Sequence, residues 1–406
     1  MRVLAGLAVT LAFAAGGSVQ AQTPGNAPVR AFFVAACPTA TGVLVALCAQ
    51  SRGGLISTDS QSALTPNQAA VAGTNALARA QALAALTEAR LESVREEGGD
   101  SPVARGISLF ATYQSEDLEQ YRAAFANERA FEGRTRRFTA GGDFRPTAET
   151  ILGLSLTYSD DESDFDANPT GRNFTPLANA GGADVTEVDI TAYGSMALAD
   201  RLTLEGSLGV GFSDQDFRRN GSYQESNRTL QQVDIRATGS ADGRRYSGSL
   251  GLAYDMDSGP VSFGPYARLR WNRASVDGYT EADAANTGLA LRISKSRATS
   301  LVSVLGARAS YAISLPWGVV VPQARAEWEH EFKDDPRTIT TSLALAPNGG
   351  VFQVRTDAPD RNAWNLGAGV LVILPNGWMP YLDVEVLEGY SDLRRERISA
   401  GLRVEF

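Results

Sequence analysis

The sequence predicts an all-β transmembrane barrel, an antiparallel up-and-down cylinder preceded by one long α-helix, and three observations predict it. Apolar residues recur with a period of two from about Ser101 to Phe406. The alternating stretches run to about 10–14 residues, longer than the usual five or six and suited to a tilted strand crossing a bilayer. Their connections come in two sizes, and aromatic residues gather at strand ends. A soluble sandwich with one wet face shares the alternation but not the other two features.

The chain has 406 residues, 385 once the first 21 are set aside. Residues 1–21 read as a secretion signal: Arg2 is the positive end, Val3 to Ala15 the apolar run, and Val19-Gln20-Ala21 the small-residue cleavage site. Gly16, Gly17 and Gln20 interrupt it before the length a membrane anchor needs. The exported chain is expected to begin at Gln22.

Residues 22–64 are too short for a globular core and form a passenger-like segment. Ala31 to Gln50 carries no charge, yet Pro38, Thr39, Thr41 and Gly42 break any membrane helix. Cys37 and Cys48 are a candidate disulfide in an oxidising compartment, the alternative being two incidental thiols in a tail. Redox chemistry is not expected, since there is no CxxC spacing.

Residues 65–100 hold the one convincing helix, a pore helix over about 75–97. Pro66 lies near its start, an Ala-rich run follows from Asn75, and Gly98-Gly99 stops it; Gly73 is expected to split off the first turns. At 1.5 Å per residue it is about 35 Å long, but Arg79, Glu88, Arg90, Glu92 and Arg95 forbid a lipid-facing span. The plain alternative is a helix packed on a domain surface or in a two-helix coil.

Residues 101–406 supply the strands. Ile398, Ala400, Leu402, Val404 and Phe406 alternate with Ser399, Gly401, Arg403 and Glu405. Leu202 to Phe212, Val188 to Met196 and Trp364 to Val372 alternate in the same way. Similar stretches near 105–115, 135–145, 150–160, 227–240, 243–255, 261–275, 299–313, 317–332 and 378–388 bring the reading to 12 or 13 segments. Both barrel ends on one side require an even number, so either 105–115 or the split between 227 and 255 is miscounted. Arg145-Pro146-Thr147, Ala199-Asp200, Asp257-Ser258-Gly259 and Pro375-Asn376-Gly377 are short turns, while 116–133, 161–183 and 334–361 are long polar loops. Trp317, Trp328, Trp364, Trp378, Tyr311 and Tyr381 make the aromatic girdle.

Composition removes other classes. Hydrophobic residues are 43% and mean hydropathy is -0.16, which excludes a helical membrane protein. The net charge of -9 argues against nucleic acid, whose phosphates need a basic face. One histidine and two cysteines leave no His-pair metal site or cysteine zinc cluster. No cofactor, metal or catalytic residue is assigned. His330, the one candidate base, follows Trp328 by two residues and reads as interfacial, with no Gly-x-Ser-x-Gly elbow beside it. Asp160-Asp161-Glu162-Ser163-Asp164-Phe165-Asp166 invites a calcium site but lacks the glycine and bidentate glutamate of an EF-hand, and reads as a solvated outer loop.

Over about 75–406 the chain resembles the autotransporter (type V secretion) β-barrel. The resemblance rests on Gly264-Pro265-Tyr266-Ala267-Arg268-Leu269-Arg270-Trp271, Gly278-Tyr279-Thr280-Glu281, Leu305-Gly306-Ala307-Arg308-Ala309-Ser310-Tyr311, and Val321-Pro322 through Trp328-Glu329-His330-Glu331-Phe332. Thr87 to Arg95 is similar to the helix that precedes such barrels. The resemblance implies a bacterial outer-membrane barrel of 12 strands enclosing that helix, reached through the Sec export machinery. It also implies that outer-membrane lipids surround the barrel and that the barrel-assembly machinery recognises the last strand, with Phe406, Val404 and Leu402 as the signal. Family passengers commonly have hundreds of residues, and residues 22–64 depart from that.

A lumen of this size is polar and wide enough for one helix. Arg79, Arg90 and Arg95 are therefore expected to meet inward acids such as Glu205, Glu327 and Glu329, with Gly209, Gly367 and Gly369 leaving clearance for the helix backbone. Two functions follow: a translocator that anchors or displays its short N-terminal segment, or a porin-like channel plugged by the helix.

Overall fold

The computed structural model describes residues 32, 34–50, 65–96, 106–121, 128–167, 175, 177–223 and 232–405. Twelve antiparallel strands form the wall: β1 (Ile107–Gln120), β2 (Phe131–Thr147), β3 (Thr150–Phe165), β4 (Gly181–Ala199), β5 (Leu202–Tyr223) and β6 (Val233–Tyr254). They continue as β7 (Val261–Val276), β8 (Ser296–Tyr311), β9 (Gly318–Glu331), β10 (Asn362–Ile373), β11 (Trp378–Glu388) and β12 (Leu393–Glu405). Each pairs with its chain neighbour, and β1 pairs with β12 from Ser108↔Glu405 to Gln120↔Leu393, which closes the cylinder. Closure matters because lipid offers an unpaired strand edge no hydrogen-bond partner.

The period of two sorts each strand into a lumenal and an outward face. On β3, Leu152, Leu154, Leu156 and Tyr158 point outward and are exposed, while Ser155, Thr157 and Ser159 point inward and are buried. Tyr113, Phe138, Tyr158, Val188 and Phe212 are successive register partners across β1–β5 and form one outward row toward the upper edge of the apolar band. Trp328 and Trp364 face each other on β9 and β10. Tyr254, Phe263, Tyr311, Trp317 and Trp378 are exposed toward the opposite edge. Tyr246 and Tyr254 bound the band on one strand, eight residues or about 26 Å of strand apart, as a tilted crossing requires. Tyr381 does not belong to the girdle. Its parity is lumenal, with Met379 and Asp383, and its hydroxyl meets Thr112 Oγ1 at 2.5 Å.

The split between 227 and 255 is the miscounted place: 233–254 is one strand of 22 residues. The sequence Ala241-Asp242-Gly243 looks like a turn because β6 there has risen above the apolar band, and its outward residues are no longer hydrophobic. For the same reason residues 160–165 are not a loop but the top of β3, and β1 reaches Gln120. In that run Asp161 and Ser163 point inward and are buried, while Asp160, Glu162 and Asp164 point outward, the first two opposite Arg136 and Arg134. The first short turn falls at 148–149, since Arg145-Pro146-Thr147 still belongs to β2.

Above the wall, the connections after β7 and β9 build a second sheet from Phe352–Arg355, Thr338–Leu343, Leu291–Ile293 and Tyr279–Thr280, in that spatial order. This sheet has its own apolar core, taken up below.

Candidate functional site

The lumen is occupied. The helix α2 (Asn67–Glu96; 30 residues, about 45 Å) lies inside the cylinder, longer than the expected 75–97, and follows an eight-residue helix, α1 (Val43–Gln50). Gly73 does not break it. A Cβ there would fall on the Arg337 guanidinium, which instead lies against the helix and donates to Ala70 O at 3.2 Å and Thr74 Oγ1 at 2.7 Å.

Polar contacts hold the helix along its length. At the long-loop end, Gln68 Nε2 donates to Glu281 Oε1 at 2.8 Å, and Arg219 forks onto the same carboxylate at 2.8 and 2.5 Å. Asn75 Nδ2 donates to Ser163 Oγ at 2.7 Å. Arg79 Nε donates to Glu187 at 2.9 Å and its Nη1 to Asp161, while Glu187 also receives Arg245 at 2.7 Å. Further down, Arg270 forks onto Glu88 at 3.0 and 2.5 Å, and Arg268 approaches Glu88 to 3.4 Å. Near the short-turn end Arg90 Nε donates to Asp143 at 2.7 Å, and Arg90 Nη2 to Ser108 Oγ at 2.5 Å. Buried charges are tolerable only when paired and hydrogen-bonded, and Arg79, Glu88 and Arg90 each have a wall partner of opposite sign.

The predicted pairings are therefore redistributed. Glu205, Glu327 and Glu329 face the lumen but contact wall arginines: Arg268 meets Glu205 at 3.5 Å and Glu327 at 3.2 Å, and Arg270 meets Glu329 at 2.9 Å. The helix answers this basic pair with an acid, Glu88. The partners of Arg79 and Arg90 are Asp161, Glu187 and Asp143. Arg95 lies in the last turn of α2, and its side chain is outside the described residues, as is Phe406. Val404 and Leu402 point outward, opposite Trp378 and Pro380 on β11 and Leu109 and Ala111 on β1. A further ionic net ties the wall to itself: Arg397 joins Glu116 at 2.6 Å to Glu385 at 2.5 Å, and Arg137 donates to Glu116 at 3.1 Å. The alternation could have flagged Arg268 and Arg270, since each occupies a lumenal parity between apolar outward residues.

Gly209, Gly367 and Gly369 do not clear space for the helix. A Cβ at Gly209 would lie 2.5 Å from Ser247 Oγ, at Gly367 2.7 Å from Arg325 Cζ, and at Gly369 2.7 Å from Asp383 Oδ2. The glycines are seats for lumenal side chains of the adjoining strands. Tyr193 lies over Gly153, Tyr266 over Gly306 and Tyr381 over Gly401 in the same way, each a register pair. Two voids of about 80 and 150 Å³ flank the helix, the smaller lined by Leu83, Phe110, Tyr193 and Tyr381, the larger by Gln81, Glu128, Arg337 and Arg395.

At the long-loop end the polar lumen gives way to an apolar plug. Phe32, Ala36, Leu44, Leu47 and Cys48 pack with Ala69, Ala70 and Ala72 of α2 and with Phe217 and Ile235 of the tall strands. Leu289, Leu291, Ile293, Ile339, Leu343 and Phe352 of the upper sheet complete this core. A 3₁₀ turn (Cys37–Thr39) and α1 are joined by the Cys37–Cys48 disulfide. His330 stands outside the wall, its ring 5.8 Å from that of Trp328 and 4.8 Å from that of Phe332, with Nδ1 2.9 Å from Asn362 Oδ1.

The family model described as Autotransporter beta-domain matches residues 119–385. The translocator domain of the autotransporter NalP from Neisseria meningitidis is similar in structure, with a TM-score of 0.56 and 16% identity, covering 80% of this chain and 97% of that one. The β domain of the Bordetella autotransporter Brka gives a TM-score of 0.48 and 19% identity, covering 75% of this chain and 100% of the other. A comparison with curated protein sequences found no match.

Proposed function

This chain belongs to the autotransporter β-domain family and is an outer-membrane translocator barrel, and from that premise we propose that its cargo is its own N-terminal segment, residues 22–64, left at the cell surface. One observation carries this reading: the chain path. The C-terminal end of α2 lies by Ser108 and Asp143, at the end with short turns and both ends of the barrel wall, and its N-terminal end lies among the long connections. Residues ahead of the helix are consequently led to the long-loop end, the outer face in barrels of this kind, and 32–50 meet the upper sheet there.

The barrel's work in this proposal is transport and anchoring, with the ionic contacts of α2 as the anchor. Export by Sec, recognition of the last strand by the barrel-assembly machinery and cleavage after Ala21 belong to the same proposal; residues 1–21 lie outside the described residues. The competing reading is a porin-like channel plugged by the helix. A tag inserted near Thr58 separates the two. Labelling on intact cells supports display, and labelling only after permeabilisation supports the plugged channel.

A further inference from the structure

The outer wall carries three arginines grouped just beyond the aromatic row. Arg244, Arg273 and Arg297 are exposed and lie on the consecutive strands β6, β7 and β8. Register sets Arg244 beside Ser275 and Tyr246 beside Arg273, then Ser275 beside Arg297 and Arg273 beside Thr299. The three are thus successive diagonal neighbours on one face, about 7–8 Å apart at their backbones, close enough for long side chains to converge on one group. Three other exposed arginines beyond the aromatic row have acidic partners: Arg134 meets Asp117 at 3.0 Å, Arg394 meets Glu396 at 2.5 Å, and Arg218 pairs with Asp184. Among the described residues Arg244, Arg273 and Arg297 make no ion pair. The outward acids around Arg244 are Asp242, two residues along β6, and Asp214 and Asp277, diagonal to it on β5 and just past the end of β7; all lie farther from the apolar band, and Asp277 is engaged by Lys295 at 2.6 Å.

Height selects the ligand. Directly on the membrane side of the trio are Tyr246 and Trp271, both exposed, followed by the outward Leu250, Leu252 and Leu269. Aromatic rings of this kind sit at headgroup level, so the guanidinium groups stand where lipid phosphates lie. A guanidinium fork fits phosphate oxygens in two-bond geometry.

We propose that Arg244, Arg273 and Arg297 form a docking site for a phosphorylated lipid of the outer leaflet, its phosphate among the three guanidinium groups and its acyl chains over Tyr246, Trp271 and Leu269. The proposal rests on the reading that this wall spans the outer membrane with the long loops outward. The test uses the full chain purified in detergent, with lipid A and dephosphorylated lipid A as probes and retained lipid read by native mass spectrometry. Wild type is expected to retain lipid A in preference to the dephosphorylated form. The triple variant R244Q/R273Q/R297Q is expected to bind lipid A roughly a hundredfold more weakly, since a basic residue near the headgroups is worth about fivefold. R134Q, at a paired arginine, is expected to match wild type. Equal retention by wild type and the triple variant, or equal retention of the two lipids by wild type, overturns the site. Failure of the membrane reading is distinguishable, because wild type would then not co-float with vesicles of either lipid. Heat-modified mobility on gels checks that each variant remains a folded barrel.

Discussion

Replacing Arg79 by alanine tests whether ionic contacts hold the helix in the lumen. Arg79 and its partners are 2–3% exposed at the side chain. The cluster comprises two cations, Arg79 and Arg245, and three acids, Asp161, Glu187 and Asp189. Arg79→Ala leaves one cation for three acids and strands Asp161, whose only ion-pair partner among the described residues is Arg79. Breaking a buried pair from one side costs about 3–5 kcal/mol. At 1.36 kcal/mol per tenfold, the helix-out state rises by between two and four orders of magnitude. Single-channel recording in planar bilayers reads this directly as open probability. The double variant Arg79→Met/Asp161→Asn removes both charges at similar volume and is expected to recover most of the closure, because an apolar or neutral replacement of a buried pair is often nearly neutral. A single variant as closed as wild type, with the barrel folded by gel mobility, would refute ionic anchoring.

Three other perturbations have defined outcomes. Gly153→Val places a Cβ 2.2 Å from the Tyr193 ring, which must move and release its 3.1 Å bond to Asp143; the cost is about 1–3 kcal/mol, read as a lower temperature of unfolding on gels, whereas Gly248→Val on the outward face should leave it unchanged. Burial away from water, reinforced by Asp357, pushes the Glu128 carboxyl up from 4.5 to about 7, and the loops meet through Glu128 N–Asp357 Oδ2 at 3.1 Å and Asp357 N–Glu128 Oε2 at 3.2 Å. The folded form holds the proton more tightly, so this contribution is full below about pH 4.5 and is lost as pH rises through about 7; amide protection near 357, measured relative to the intrinsic exchange rate at each pH, should fall over that range in wild type and not in Glu128→Gln. Cys48→Ser opens an 11-residue closure worth about 3 kcal/mol, so protease should cut 32–50 faster while barrel mobility is kept; equal cutting rates would show that packing alone secures the segment.

Wherever lipid lies outside, the fold was legible. Leu202 to Phe212 and Trp364 to Val372 declare their parity because one face must be apolar and the other must not. Above the aromatic row that pressure ends. Asp214, Asp216 and Arg218 face water on β5 while Phe217 turns inward, so the strand reads as a polar loop. The upper sheet is hidden for a related cause: Leu291–Ile293 and Phe352–Arg355 are too short to show a period. Helix and wall were each readable, but which charges meet depends on the stagger of strands around the cylinder, and a shift of two residues on one strand changes every partner. That is why Glu88, named only as a residue lipid would reject, became the partner of Arg270. The glycine seats were missed because a small inward residue looks alike whether a helix or a neighbouring side chain fills the space.

The stapled cap also has a mechanical consequence. A rod threaded through a ring, joined to that ring at one end and bearing a broad knot at the other, is interlocked like a rotaxane. In the proposed display reading, withdrawal toward the periplasm would require the knot to be untied first. On that same reading, pairing of Cys37 with Cys48 would tighten that knot once the segment has arrived.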